Sequence, residues 1–148
     1  MNKCYLDSNV LVYWKDNNSP HQYKAIKLIK TLRPDSFEIY ISSLTLDEFL
    51  HASKFILKQS HISQETSYVL LNKALSSILA LPHFKIINPS TDKNKNKRVL
   101  LYMKDYNLSP RDAYHLLIMK ENGISEFATF DSDFKKVFTR KVLKPKIN

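Results

Sequence analysis

The chain has 148 residues, enough for one domain with a sizeable core, and its 43% hydrophobic and 25% charged residues exclude wholesale disorder. Its single glycine, Gly123, excludes a Walker A loop, a Rossmann fingerprint and a Gly-rich kinase loop, and its single cysteine, Cys4, excludes an intramolecular disulfide and a multi-Cys zinc site. Twenty-three Lys and Arg against 14 Asp and Glu give a net charge of +9, which suits a polyanionic partner, nucleic acid or an anionic membrane surface, or simply a solubilising Lys-rich exterior.

Residues 3–6 read as a short strand closed by Asp7. Residues 8–14 stay open between a continued strand and a helix, because Val10, Leu11, Val12 and Tyr13 suit either. Ser19-Pro20 reads as a helix start, with Ser as N-cap and Pro at the first helical position. Behind it Tyr23, Ile26, Ile29 and Leu32 recur at helical spacing. A strand follows at 37–41, and Ser43 or Thr45 opens a helix running to about Lys58. Ser63 caps the next helix, with Leu70, Leu71, Ala74, Ile78 and Leu79 as its buried stripe. Residues 84–87 form a strand, and a helix runs from Thr91 through Met103, its solvated start carrying Lys93, Lys95, Lys97 and Arg98. Ser109-Pro110 repeats the Ser-Pro start for a helix that stops at Gly123. A strand at 127–130 runs into Asp131, and 137–143 reads as a final edge strand. Strands alternating with helical segments predict an α/β domain, 1–148, with a mostly parallel sheet flanked by helices. No apolar run approaches the roughly 20 residues of a spanning helix, and Asp7 breaks the N-terminal one, so the expectation is a soluble chain in a reducing, cytoplasmic setting.

The few acids sit at informative places. Asp7 and Asp131 close strands, Asp133 follows two residues on, and Glu48 and Asp112 fall in what read as the first turns of helices. In an open parallel sheet these junctions share one edge, where ligands bind. Gathered carboxylates raise one another's pKa unless a cation lies between them. A hard divalent ion with oxygen ligands, Mg²⁺ or Mn²⁺, fits that role. Helix N-termini would favour the ionised forms of Glu48 and Asp112. Each acid also has a purely structural reading. Thr45 to Glu48 and Ser109 to Asp112 fit capping boxes, and Asp7-Ser8-Asn9 and Asp131-Ser132-Asp133 fit Asx turns.

Glu48-x-x-His51 and Asp112-x-x-His115 place an acid and a histidine one turn apart, as in di-iron bundles. That reading fails because the other acids end strands rather than lie on helices, and it leaves His51 and His115 as packing residues. Cys4 reads as a small buried hydrophobe. The aromatics fall mostly at core-facing spacing and do not mark a base-stacking surface.

Four segments together carry a resemblance. Tyr5-Leu6-Asp7-Ser8-Asn9-Val10-Leu11-Val12, Ser42-Ser43-Leu44-Thr45-Leu46-Asp47-Glu48-Phe49, Leu108-Ser109-Pro110-Arg111-Asp112-Ala113-Tyr114-His115 and Phe127-Ala128-Thr129-Phe130-Asp131-Ser132-Asp133-Phe134 resemble, in order, the acidic motifs of PIN-domain nucleases. The size resembles the VapC-type toxin branch. The resemblance implies a three-layer α/β/α sandwich that cleaves RNA with Mg²⁺ or Mn²⁺, forms a homodimer and, in the toxin branch, pairs with a small antitoxin. It makes Asp7, Glu48, Asp112 and Asp131 the catalytic and metal-binding acids. Ser8, Asn9, Thr129 and Asp133 become their supporting neighbours, Arg111 a candidate for holding substrate, and Ser8 a helix start. The alternative is a PIN-fold RNA-binding or RNA-processing module without turnover; a third reading is a nuclease directed at DNA.

Overall fold

A computed structural model describes residues 1–146. Five strands, β1 (Asn2–Leu6), β2 (Phe37–Ser42), β3 (Phe84–Ile87), β4 (Glu126–Ala128) and β5 (Lys144–Pro145), form one sheet in the order β3-β2-β1-β4-β5, every pairing parallel. Strand β1 is central, paired with β2 on one side (Tyr5 opposite Tyr40) and β4 on the other (Tyr5 opposite Phe127).

Side chains of a strand alternate between faces, and the two cores follow that rule. Tyr5, Tyr40 and Phe127 enter one core with Leu116, Leu117, Met119, Phe134 and Val137. Their neighbours Cys4, Leu6, Ile39, Ile41 and Ala128 enter the other with Val10, Leu11, Leu28, Phe49 and Ile78. Helices α1 (Ser8–Lys15), α2 (Gln22–Thr31), α3 (Ser43–Gln59) and α4 (Gln64–Leu79) supply the second face. Helices α6 (Val99–Tyr106), α7 (Pro110–Glu121) and α8 (Lys135–Thr139) cover the first, with the short α5 (Lys93–Lys97) leading into α6. The molecule is the α/β/α sandwich expected, and its sheet is parallel throughout the described residues. Cys4 is fully buried, which pushes its thiol up to about 12 and makes it packing rather than chemistry.

Residues 8–15 are helix from Ser8, as the resemblance implies, with Asp7 capping them by accepting from Ser8 N. Several other boundaries differ from the sequence reading, each for a local reason. Ser19-Pro20 does not open α2. The Ser19 hydroxyl oxygen accepts from His21 N in a preceding turn, and the helix begins at Gln22. The single helix expected over 91–103 is two, since Asp92 rather than Thr91 caps α5 and the chain restarts at Arg98. Leu71 and Ile78 are buried as expected on α4, whereas Leu70 and Leu79 face outward. The tail expected as one strand over 137–143 holds α8 first, and pairing begins only at Lys144. Pro145 has no N–H to offer a further strand and so suits this edge. Among the described residues no helix is long and apolar enough to cross a membrane.

Candidate functional site

The carboxyl ends of β1, β2 and β4 bring the expected acids together. Asp7, one residue past β1, is almost entirely buried. It accepts from Ser8 N at 2.8 Å, from the Thr129 hydroxyl at 2.5 Å and from Asn9 Nδ2 at 3.3 Å. Its own N–H donates to Ala128 O, which ties the end of β1 to the end of β4. Asn9 Nδ2 also reaches Thr129 Oγ1 at 3.3 Å, and Asn9 Oδ1 accepts from Phe130 N at 3.2 Å. Burial raises the Asp7 carboxyl, and so does neighbouring Glu48, with His115 and the Thr129 hydrogen bond opposing.

Glu48 lies in the second turn of α3, not the first. Ser42 is the N-cap, and a capping box joins it to Thr45: Thr45 N donates to Ser42 Oγ while Ser42 N donates to Thr45 Oγ1. The box expected from Thr45 to Glu48 is therefore displaced by three residues, and Glu48 is free of capping duty. Its Oε2 accepts from the Ser8 hydroxyl at 2.8 Å, and its Oε1 lies 2.7 Å from His115 Nε2. Burial alone would raise this carboxyl. The hydrogen bond and charge of His115, with those of Ser8 and Arg111, outweigh it and hold Glu48 below its ordinary range. That effect comes from named side chains, not from the helix terminus expected to supply it.

His115 is not the packing residue the sequence suggested. It is fully buried, and its Nδ1 lies 2.8 Å from the Tyr5 hydroxyl. That hydroxyl also lies 2.7 Å from Ser42 Oγ and 3.0 Å from Thr45 Oγ1. A phenol has one donor and two acceptor positions, so three neighbours satisfy it fully. An ionised Glu48 only accepts, so the hydrogen between the pair sits on His115 Nε2. The chain Glu48–His115–Tyr5–Ser42/Thr45 thus joins α3, α7, β1 and β2 behind the acids. Sequence reasoning missed it because Tyr5 and His115 are 110 residues apart. His51 is exposed on α3 and takes no part.

Asp112 does stand in the first turn of α7, capped by Ser109, whose hydroxyl oxygen accepts from Asp112 N at 3.2 Å. The helix end does not keep its carboxyl low. Burial raises it to about 6, helped by Asp131 and Asp7, against the Ser109 hydrogen bond and His115. Asp131 follows β4; its N–H donates to Thr129 Oγ1 at 3.0 Å and its Oδ1 accepts from Asp133 N at 2.9 Å. The Asx turn read there is thus real and leaves the second Asp131 oxygen outside it. Arg111 is exposed, its Nε 3.8 Å from Glu48 Oε1.

Donor atoms of Asp7, Glu48 and His115 lie within 4.8 Å of one another, as do those of Asp112, Asp131 and Asp133. Both His115 nitrogens are engaged, so the oxygen atoms of the five acids form the available donor set. An all-oxygen set in which Glu48 raises the Asp7 carboxyl, and Asp131 and Asp7 raise that of Asp112, fits a hard divalent cation. An open cleft of about 1100 Å³ adjoins the acids, lined by Glu48, Asp112, Arg111, Tyr114, Pro89 and Ser43 among others.

An all-parallel α/β/α sheet with carboxylates at the end of its central strand, where the strand order turns from one side to the other, defines a domain built to act at that switch point. The PIN domain family model matches residues 4–138, and the chain belongs to that family. Among solved structures, the chain is similar to VapC20 of Mycobacterium tuberculosis, a toxin that cleaves the Sarcin-Ricin loop. The two share 15% identity and a TM-score of 0.64 over 89% of this chain and 92% of that one. It is also similar to VapBC2 from Rickettsia felis, bound to a fragment of its promoter DNA, at 17% identity and TM-score 0.62 over 91% and 92%. A toxin–antitoxin complex from Klebsiella pneumoniae matches at 23% identity and TM-score 0.58 over 88% and 89%. A search of curated protein sequences gives no match.

Proposed function

We propose that residues 1–148 are a single nuclease domain, a cytoplasmic Mg²⁺- or Mn²⁺-dependent endoribonuclease acting as the toxin of a toxin–antitoxin pair. The observation that carries the reading is the convergence of Asp7, Glu48, Asp112 and Asp131 from four separated segments onto one edge of a PIN-family sheet. Asp7, Glu48, Asp112 and Asp131 would hold the ion. When bound, it supplies Lewis acidity and cancels charge on the scissile phosphate. Thr129 and Asn9 fix the Asp7 carboxylate, and Ser8 and His115 fix that of Glu48. Asp131, with one oxygen outside its turn, orients the attacking water and takes its proton. Asp133 anchors that turn through its N–H, and Arg111, exposed and 3.8 Å from Glu48, would meet the phosphate.

The solved neighbours that are toxin–antitoxin complexes support an antitoxin partner. An apolar groove of about 460 Å³ between α1, α3 and α4, walled by Phe49, Ile56, Leu70 and Leu71, offers such a partner a place to lie. Leu100 and Leu101, exposed on α6, are apolar surface that a second copy would cover in a homodimer.

The test is cleavage of labelled RNA by the purified chain with Mn²⁺ or Mg²⁺, against EDTA and an Asp7→Asn control. Discrete products that vanish in both controls are the expected outcome. Products that persist in Asp7→Asn sink the assignment. Binding without cleavage across metals and several RNAs favours the non-catalytic PIN module instead, and parallel DNA substrates expose a DNA-directed enzyme.

A further inference from the structure

Resting on the ribonuclease reading, we propose that Phe130, backed by Tyr13 and His21, is a stacking platform for one unpaired base of the RNA substrate beside the acids. Phe130 is 38% exposed, although it is an aromatic residue placed between two residues of the site. Thr129 before it donates to Asp7, Asp131 follows it, and its own N–H is held by Asn9 Oδ1. Its backbone is therefore fixed relative to the acids, while its ring belongs to neither core.

The ring instead meets Tyr13, centroid to centroid at 5.6 Å, and Tyr13 meets His21 at 4.9 Å. Asn9 and Tyr13 are four residues apart on α1 and share one face of it. The aromatic row thus starts one turn, about 5.4 Å along the axis, from a residue that touches Asp7. Tyr13 is partly buried against the second core and anchors the row, leaving Phe130 and His21 exposed. Immediately after His21, Lys24, Lys27 and Lys30 recur every third residue on the exposed side of α2. Aromatic surface next to a row of cations is what a single strand requires: bases stack on rings and phosphates meet lysines. Paired bases are already stacked within their duplex, so the platform selects unpaired RNA. The apolar groove between α1, α3 and α4 has no such row of rings and suits a protein segment instead.

The experiment uses the full chain and a single-stranded RNA oligonucleotide carrying 2-aminopurine at successive positions, whose emission is quenched on stacking. In EDTA the wild type is expected to quench one position strongly. Phe130→Leu keeps an apolar side chain but no ring. It should lose that quench, bind RNA about tenfold more weakly and raise KM for cleavage with little change in kcat. Phe130→Trp should restore all three, and Tyr13→Leu should weaken binding if Phe130→Leu does not fold. Wild-type binding and quenching by a folded Phe130→Leu overturns the platform while leaving the nuclease standing, as does a cleaving wild type that quenches no position. A wild type without metal-dependent cleavage overturns the ribonuclease reading and the platform with it.

Discussion

Asp112 concentrates the electrostatic tension of the site. Its carboxyl ordinarily titrates at 3.8 and in the fold is raised to about 6 by burial and by Asp131 and Asp7. The folded state therefore binds that proton more tightly than the unfolded state. Its stabilising contribution is complete below about pH 4 and is lost as pH rises through 6. In EDTA, melting temperature is expected to fall between pH 4 and pH 8, and Asp112→Asn to flatten that fall. At pH 8 the variant should be more stable by about 1 kcal/mol, the shift being discounted for a half-exposed group. Thermal melts at pH 4, 6 and 8 check this; a steeper fall in Asp112→Asn refutes it. Asp112 and its partners were legible because strand ends and helix starts are readable in a sequence. His115 was legible only as a histidine on an apolar face. Its meaning depends on Tyr5 and Glu48, which only the folded sheet brings to it.

The elements show the same division between local and distant causes. Ser63 and Ser109 cap α4 and α7 as their sequence contexts indicate, and the helix ending near Gly123 ends there because that residue adopts φ +61°. At α3 the sequence offers Ser43 and Thr45 as helix starts, while the cap in the fold is Ser42, one residue before the first of these, and local sequence does not choose among the three hydroxyls. Tyr5 favours Ser42, since the same hydroxyl that caps the helix also meets the buried phenol. Ser42→Ala is accordingly expected to destabilise the protein by about 1–2 kcal/mol, more than an exposed cap such as Ser63→Ala. Chemical denaturation of both variants is the check, and equal losses would show that the Tyr5 bond contributes nothing. The division of 93–106 into α5 and α6 was hidden for a related reason: the run of Lys and Asn there has no apolar period to mark a break.

At the scale of the molecule, the charge of +9 is unevenly relevant. Lys93, Lys95, Lys97 and Arg98 sit beyond the loop in which Ser90 N donates to Glu121, at the end of α7 remote from Asp112. Lys24, Lys27 and Lys30 line the helix that follows the aromatic row. RNA affinity is expected to fall steeply with salt, by roughly 0.7 logarithmic units per tenfold salt for each phosphate neutralised. Replacing the three α2 lysines by Gln should reduce that slope by about 2, and replacing the α5 cluster should leave it nearly unchanged. Titrations at several salt concentrations distinguish these; an equal effect of both clusters means the strand takes another path. Which cations matter was not readable from composition, because the count fixes total charge and the fold alone fixes its distribution.

The central position of β1 also bears on synthesis. Asp7 leaves the ribosome well ahead of its hydrogen-bond partner Thr129, which comes 122 residues later, and of Asp131, later still. A nascent chain that has already folded α1 to α4 holds Asp7 and Glu48 with no β4 beside them. The site is thus assembled only once β4 is made, and a copy that stops before it carries Asp7 and Glu48 without Thr129 to fix the one or Asp131 to complete the acids.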